Sequence, residues 1–390
     1  MRRILIISHV YVAPEHRGKL RALAARDLEL TVGVPQRWKQ PPPGLDHMVE
    51  TTWERQSGVE IFPIPVGDPG DLLRYRFGRR ALAALIRDKR PDLIQVEEEA
   101  TSAAARQVTR IAAGLDIPVV LFGAESQDHR VPLAVRWRRR RTLRQVRGLA
   151  AGSEAAAALL KRQAGDRAPP LPIAVIPQLG VHVPPAPEHQ PHEGLAIGCV
   201  GRLVPAKGVD TLLEALAEIR SASWRLTIVG DGPDRERLEA LASRLRLAAR
   251  VRWTGALPPD HLTRLWPELD VLAVPSRRLP SGGGSIEPHG HALVEAMAHE
   301  VVVVGTTAGV IPEVVGEAGV TVPPDDASSL AEALRSLGPV AARLPLAQAG
   351  RARAMKLFSD DAVAERTVQF WREVLEPSAV GHQPSVNADG

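Results

Sequence analysis

The chain has 390 residues, 44% hydrophobic and 24% charged, with a formal net charge of +4. That is the balance of a soluble globular protein, and the length suits two domains better than one core. An aromatic share of 4% leaves too few rings for a base-stacking nucleic-acid surface, so the mild positive charge points to small anionic ligands or anionic lipid.

The N-terminus reads Met-Arg-Arg-Ile-Leu-Ile-Ile-Ser, and its apolar run ends before His9 and Pro14. It is too short for a signal peptide and predicts a buried first strand over 4–7. Further strands are predicted at 30–34, 60–64, 93–96, 119–122, 149–151 and 174–176. Helices are predicted at 19–26, 72–87, 102–113, 133–147 and 154–163. The segment 35–55, with Pro41-Pro42-Pro43-Gly44, reads as a long loop. Apolar strands alternating with helices predict a parallel sheet covered on both faces.

Residues 184–194 are proline-rich, nearly devoid of core formers, and predict a linker. The alternation then restarts, with strands at 195–200, 225–229, 251–253, 271–274, 301–304 and 320–322. Helices are expected at 209–220, 233–246, 259–265, 291–299, 328–337, 345–357 and 361–375. The fold class is therefore α/β, with two Rossmann-like, doubly wound domains, 1–183 and 195–358, facing across a cleft. Residues 359–376 are expected to form a helix packing back on the first domain, and 377–390 a disordered tail. Cys199 is the only cysteine and lies in an apolar strand, so a buried packing role and a reducing cytoplasm are expected. No apolar stretch reaches membrane-spanning length.

Two segments carry chemistry. Gly201-Arg202-Leu203-Val204-Pro205-Ala206-Lys207-Gly208 leaves a strand and opens a helix, where backbone amides and two cations favour a diphosphate. Glu287-Pro288-His289-Gly290-His291-Ala292-Leu293-Val294-Glu295 places one carboxylate on a loop, because Pro288 disfavours helical geometry at Glu287, and the other inside a helix. Carboxylates there can accept hydrogen bonds from sugar hydroxyls. The plain alternatives are a surface turn and a helix-start acid balancing the dipole. Together the two segments describe a nucleotide-sugar site.

With the further stretches 226–233, 253–257, 269–276 and 309–315, these motifs resemble the retaining nucleotide-sugar glycosyltransferases of family 4, which have the GT-B fold. The resemblance covers the second domain almost continuously. It implies that Arg202 and Lys207 hold the donor diphosphate, Glu295 the ribose and Glu287 the transferred sugar. Gly201 and the amides around Gly290, His291, Ala292 and Leu293 would flank the donor. His289 departs from the family, where many members carry Phe. In the first domain the family's Gly-Gly turn has only Gly18 as a counterpart, and its mid-domain His has Glu125, Gln127 or His129. The acidic run Glu97-Glu98-Glu99 follows a strand end, so Glu97 either faces the cleft or sits on a solvated loop. The stretch 136–147 carries seven arginines, read as a solvated helix or a patch for anionic membrane or a phosphorylated acceptor.

The implied activity is metal-independent transfer of a sugar to a hydroxyl acceptor, with no resident cofactor and no nucleic-acid partner. The alternatives are a sugar-nucleotide 2-epimerase of the same architecture and a catalytically silent sugar-nucleotide-binding subunit. Gly230-Asp231-Gly232 lacks the third glycine of a dinucleotide fingerprint, and no phosphate-binding Gly-x-x-x-x-Gly-Lys-Ser/Thr loop occurs.

Overall fold

The computed structural model describes residues 1–40, 47–126, 131–166, 170–186, 193–278 and 290–376. The first domain holds an eight-stranded sheet. Its order is Ile173–Val175, Gly148–Ala151, Val119–Gly123, Leu93–Val96, Arg3–Ile7, Glu29–Pro35, Val59–Ile64 and Glu54–Gln56. Only the last, at the sheet edge, is antiparallel to its neighbour. The second domain holds six parallel strands in the order Val251–Gly255, Trp224–Val229, Leu195–Val200, Val271–Val274, Val302–Thr306 and Gly319–Val322. In that sheet the chain reverses direction between Leu195–Val200 and Val271–Val274, and the diverging connections leave a crevice at the carboxyl ends of those two strands. The corresponding reversal in the first sheet lies between Arg3–Ile7 and Leu93–Val96.

The unbroken apolar character of the strands has a direct cause. Val271, Ala273, Val302 and Val304 enter one core cluster, while Leu272, Val274 and Val303 enter another on the opposite face. Successive side chains point to opposite faces, so a sheet covered on both sides needs apolar residues at every position.

The C-terminal helix Asp360–Leu375 begins at Ser359, whose hydroxyl accepts from the Ala362 amide. Its Val363, Val368, Phe370 and Trp371 belong to the core of the first domain, and the Trp371 indole donates to Gln95 at 2.6 Å. The chain thus crosses between domains twice.

Several elements differ from the sequence expectation. The segment 35–55 contains the antiparallel pair Arg37–Gln40 and His47–Glu50 and the strand Glu54–Gln56. Trp38 is buried opposite Val49, a tertiary contact that local turn residues conceal. The helix expected from 72 begins at Arg79, because 76–77 pair with 66–67 and Gly78 ends that pairing. The arginine-rich helix stops at Leu143, and Val146 turns into the core. A short helix, Ile311–Val315, starts where Pro312 suits the first turn. The penultimate helix starts earlier than expected, at Val340, with Pro345 inside it. The tail 377–390 lies outside the described residues. Among the described residues, no helix is long and apolar enough to cross a membrane.

Candidate active site

The crevice of the second domain is built by a loop with little conformational freedom. After Leu195–Val200 the chain passes through Gly201 and a short turn, Pro205–Lys207, to Gly208, which caps the helix Val209–Glu218. Gly208 has φ of 64°, and a Cβ there would lie 2.0 Å from the Pro275 carbonyl oxygen. Only glycine satisfies both the left-handed backbone and this approach to the neighbouring strand end. Gly230 is similarly constrained, since its Cβ would lie 1.9 Å from the Gly201 oxygen. The 201–208 loop is thereby seated between the ends of three strands.

Arg277 holds this loop from the other side of the crevice. Its Nε donates to the Pro205 carbonyl at 2.8 Å and its amide to the Ala206 carbonyl at 2.9 Å. Its guanidinium also pairs with Asp325 at 2.7 Å and with Asp210. Burial would raise the Asp210 carboxyl, but hydrogen bonds from Arg277 and Arg237 outweigh it and hold the group below its ordinary value. Nothing in the local sequence singles out Arg277; only the tertiary contact does.

Arg202 is exposed on this loop, whereas Lys207 is half-buried and folds back over Gly201. Burial lowers the Lys207 ammonium below its ordinary value. An ammonium with part of its hydration removed gains more from an arriving phosphate than one in bulk water.

On the carboxyl-end side of the same sheet the helix His291–Ala298 starts at Gly290, with no side-chain cap and no acid in its first turn. Among the described residues, the amides of His291 and Ala292 meet no acceptor. They offer donors to an anion at the positive end of the helix dipole. One turn on, Glu295 lies 3.2 Å from the His291 ring. Burial works against a charged His291 ring, but the hydrogen bond and charge of Glu295 outweigh it and raise its pKa. Glu287 and His289 lie outside the described residues, as do Gln127 and His129.

The first domain meets this side through its loop after Arg3–Ile7. His16 approaches His291, with ring centroids 6.3 Å apart. Burial, then the neighbouring His291, lower the His16 pKa, although a hydrogen bond to the Val10 carbonyl opposes them. The space a side chain at Gly18 would occupy is filled by Asp360, 2.1 Å from a built Cβ, so the glycine permits the C-terminal helix to pack closely. Behind these loops lies a cavity of about 450 Å³ between the domains, bordered by His16 and Pro177 on one side and His291, Val294 and Val314 on the other. Glu313 crosses the interface, accepting from the Glu154 amide at 3.1 Å and so capping a helix of the other domain.

The acidic run is neither a solvated loop nor a set of carboxylates open to the cleft. Glu97 is 1% exposed and bonds to Lys19 at 2.7 Å and Gln95 at 2.6 Å. Its expected place in the cleft is corrected by that burial. Glu98 accepts from the His9 amide and lies 2.8 Å from the His9 ring. Glu99 accepts from the amides of Ala124 and Glu125 at 2.7 and 3.0 Å, anchoring the segment that carries Glu125. Burial pushes the Glu99 carboxyl up to about 7, against the pull of those two amides. Cys199 is buried beneath the 201–208 loop, and burial pushes its thiol up to about 12, the state of an inert packing residue.

Each half of the chain matches a glycosyltransferase family model. Residues 14–178 match the glycosyl transferase 4-like domain, and residues 194–338 match the glycosyl transferases group 1 model. The chain belongs to the family 4 glycosyltransferases, with the GT-B fold. It is similar to a GDP-mannose-dependent alpha-(1-6)-phosphatidylinositol monomannoside mannosyltransferase of Mycolicibacterium smegmatis, 37% identical over 143 residues. That match spans 36% of this chain and 37% of the relative, well under two thirds of its length. In fold it is similar to a sucrose-phosphate synthase from Thermosynechococcus elongatus, with a TM-score of 0.71 at 20% identity over 97% of this chain and 100% of that one. Anabaena HepE in complex with UDP-glucose gives 0.68 at 19% identity, over 96% and 100%.

Proposed function

We propose that this protein transfers a sugar from a nucleoside diphosphate sugar to a hydroxyl acceptor, with retention at the anomeric carbon and without a metal. The observation that carries the reading is that Arg202 and Lys207, on the loop after Leu195–Val200, and the acid-free start of His291–Ala298, which follows Val271–Val274, succeed two adjacent parallel strands of the second sheet. Relatives and fold neighbours whose names specify GDP-mannose or UDP-glucose support a nucleotide-sugar donor and leave its base open.

In the proposed reaction the bond from the anomeric carbon to the diphosphate oxygen breaks, and its electron pair stays on the phosphate. Arg202, Lys207 and the helix-start amides stabilise that charge as it develops. The acceptor oxygen bonds to the anomeric carbon on the same face, and its proton passes to the departing phosphate. Glu295 holds the ribose and Glu287 the transferred sugar. The first domain receives the acceptor, and Glu125, Gln127 or His129 stands beside the reacting carbon. A cytoplasmic enzyme in peripheral contact with anionic membrane completes the reading.

A thermal-shift panel of UDP-, GDP- and ADP-sugars tests it, followed by a transfer assay with the stabilising donor. Ligand at 100 times its dissociation constant stabilises by about 2.7 kcal/mol. Activity is expected to persist in excess EDTA. Free nucleoside diphosphate with an epimerised sugar, formed without acceptor, would overturn the transfer reading.

A further inference from the structure

The helices Arg79–Lys89 and Ala103–Ala113 of the first domain border a groove of about 540 Å³. Arg76, Arg79, Arg87, Arg106, Arg110 and Arg138 line it, and no carboxylate does. Among the described residues none of the six forms an ion pair, and the neighbouring acids Asp71, Asp88 and Asp92 are paired with Arg74, Lys89 and Arg3. In a chain with 49 basic and 45 acidic residues, this local imbalance stands apart from the average.

The pattern is set by helical spacing. Arg79, Ala83 and Arg87 recur every four residues and form one stripe; Arg106, Arg110 and Gly114 form the facing one. Ala83, Ala103 and Gly114 are small, which leaves the floor open between the cationic walls. At one end of the groove both helices begin, and neither has an acid in its first turn. Their positive dipole ends therefore add to the arginine charge. Like charges one helical turn apart, and arginine at a helix start, both cost stability. An anion in the groove relieves both. From Arg79 to Arg87 the helix rises about 12 Å, longer than one phosphate. Guanidinium forks match phosphate oxygens in pairs.

We propose that this groove is a second anion site, separate from the donor loop of the other domain, for a group bearing two or more phosphates. The phosphates belong either to a soluble phosphorylated molecule or to a lipid headgroup, and two probes separate these sources.

The test uses the full chain carrying Arg202→Ala and Lys207→Ala, so that the donor loop does not contribute. Inorganic tripolyphosphate is titrated calorimetrically, and phosphatidylcholine vesicles with and without cardiolipin are co-sedimented. The combined substitution Arg79→Gln, Arg106→Gln and Arg110→Gln is expected to weaken binding roughly tenfold or more, as loss of charge-assisted pairs does. Its melting temperature should equal or exceed that of the parent, because repulsion within the groove falls. Should the Gln variant unfold, the Arg→Lys set at the same positions keeps the charge and loses the fork, and weaker binding by it carries the same support. Groove-dependent binding of tripolyphosphate supports a soluble ligand, and groove-dependent pelleting with cardiolipin alone supports a headgroup. No binding to either probe, or binding indifferent to the substitutions, overturns the proposal.

Discussion

The two domains share one plan, and each sheet reverses direction beside its first strand, yet they fill that crevice in opposite ways. In the second domain it is cationic, with Arg202 exposed and Lys207 half-buried over Gly201. In the first domain the equivalent region is closed by charges turned inward: Glu97 on Lys19 and Glu98 on His9. Topology offers a crevice in both sheets, and the two differ in the charges they present: cations on the 201–208 loop in one, inward-turned carboxylates in the other. On the outside of the first domain, six arginines line one groove and, among the described residues, none of them forms an ion pair.

The comparison is broken most severely at the closed crevice. Glu97→Ala would leave the Lys19 ammonium buried without its partner, both side chains being at most 1% exposed. A loss of about 3–5 kcal/mol in denaturant unfolding is expected, whereas replacing both residues by apolar ones should recover most of it. A loss below about 1 kcal/mol for the single change would show that this pair is not what closes the crevice.

At the cationic crevice the effect is on turnover. Lys207→Ala and Arg202→Ala are each expected to lower kcat on the order of a hundredfold, with unfolding nearly unchanged. Near-normal turnover in both variants would remove the diphosphate assignment. Glu295→Ala should act differently, raising KM for the donor more than it lowers kcat, since a ribose contact is similar in ground and transition states. Wild-type affinity of this variant for the bare nucleoside diphosphate would contradict the ribose role.

A subtler test concerns Glu99, whose carboxyl rises from 4.5 to about 7 on folding. Between these values the folded state binds more proton than the unfolded, so this group destabilises the fold as pH rises through the window. Wild type should therefore lose stability relative to Glu99→Gln from about pH 4.5 to about pH 7 and hold a constant difference above it. A difference that is flat across the range would show that the carboxyl titrates normally.

The smallest effect is expected on the arginine-rich helix. Trp137 and Leu133 are exposed there, and Arg141 stacks on Trp137 at 5.3 Å. Arg139, in contrast, is buried, so the helix does not present all its arginines to solvent. Attachment to phosphatidylglycerol vesicles should be weak and released by salt, at about 1 kcal/mol per basic residue near the surface. Equal pelleting with neutral vesicles would return the helix to a solvated role.

The second domain was far more legible than the first, for physical reasons. Its strands 271–274 and helix 259–265 match their expected bounds, because double-sided burial writes an apolar residue at every strand position. The 201–208 loop was readable because glycines, a proline and two cations all lie within eight residues. The first domain's site depends on pairings between distant residues. Lys19 with Glu97, and Glu99 with the amides of 124–125, are separated by 25 residues or more. Gly18 shows the same limit: its neighbour Asp360 lies at the far end of the chain, so the packing that needs a glycine there is invisible locally.

By itself, the sequence determined the two-domain α/β plan, the positions of most strands and the placement of Arg202 and Lys207 between a strand and a helix. Those features follow from periodicity and local turn chemistry, which act over a few residues. The tertiary structure decided which charges are buried and which are exposed. It buried Glu97 and anchored Glu99, and it fixed the 201–208 loop through Arg277. It also set His16 rather than Gly18 against the second domain and gathered six arginines from separate segments into one groove. Whether a charge pairs or waits for a ligand depends on neighbours brought together only by packing, and its energy changes severalfold with burial.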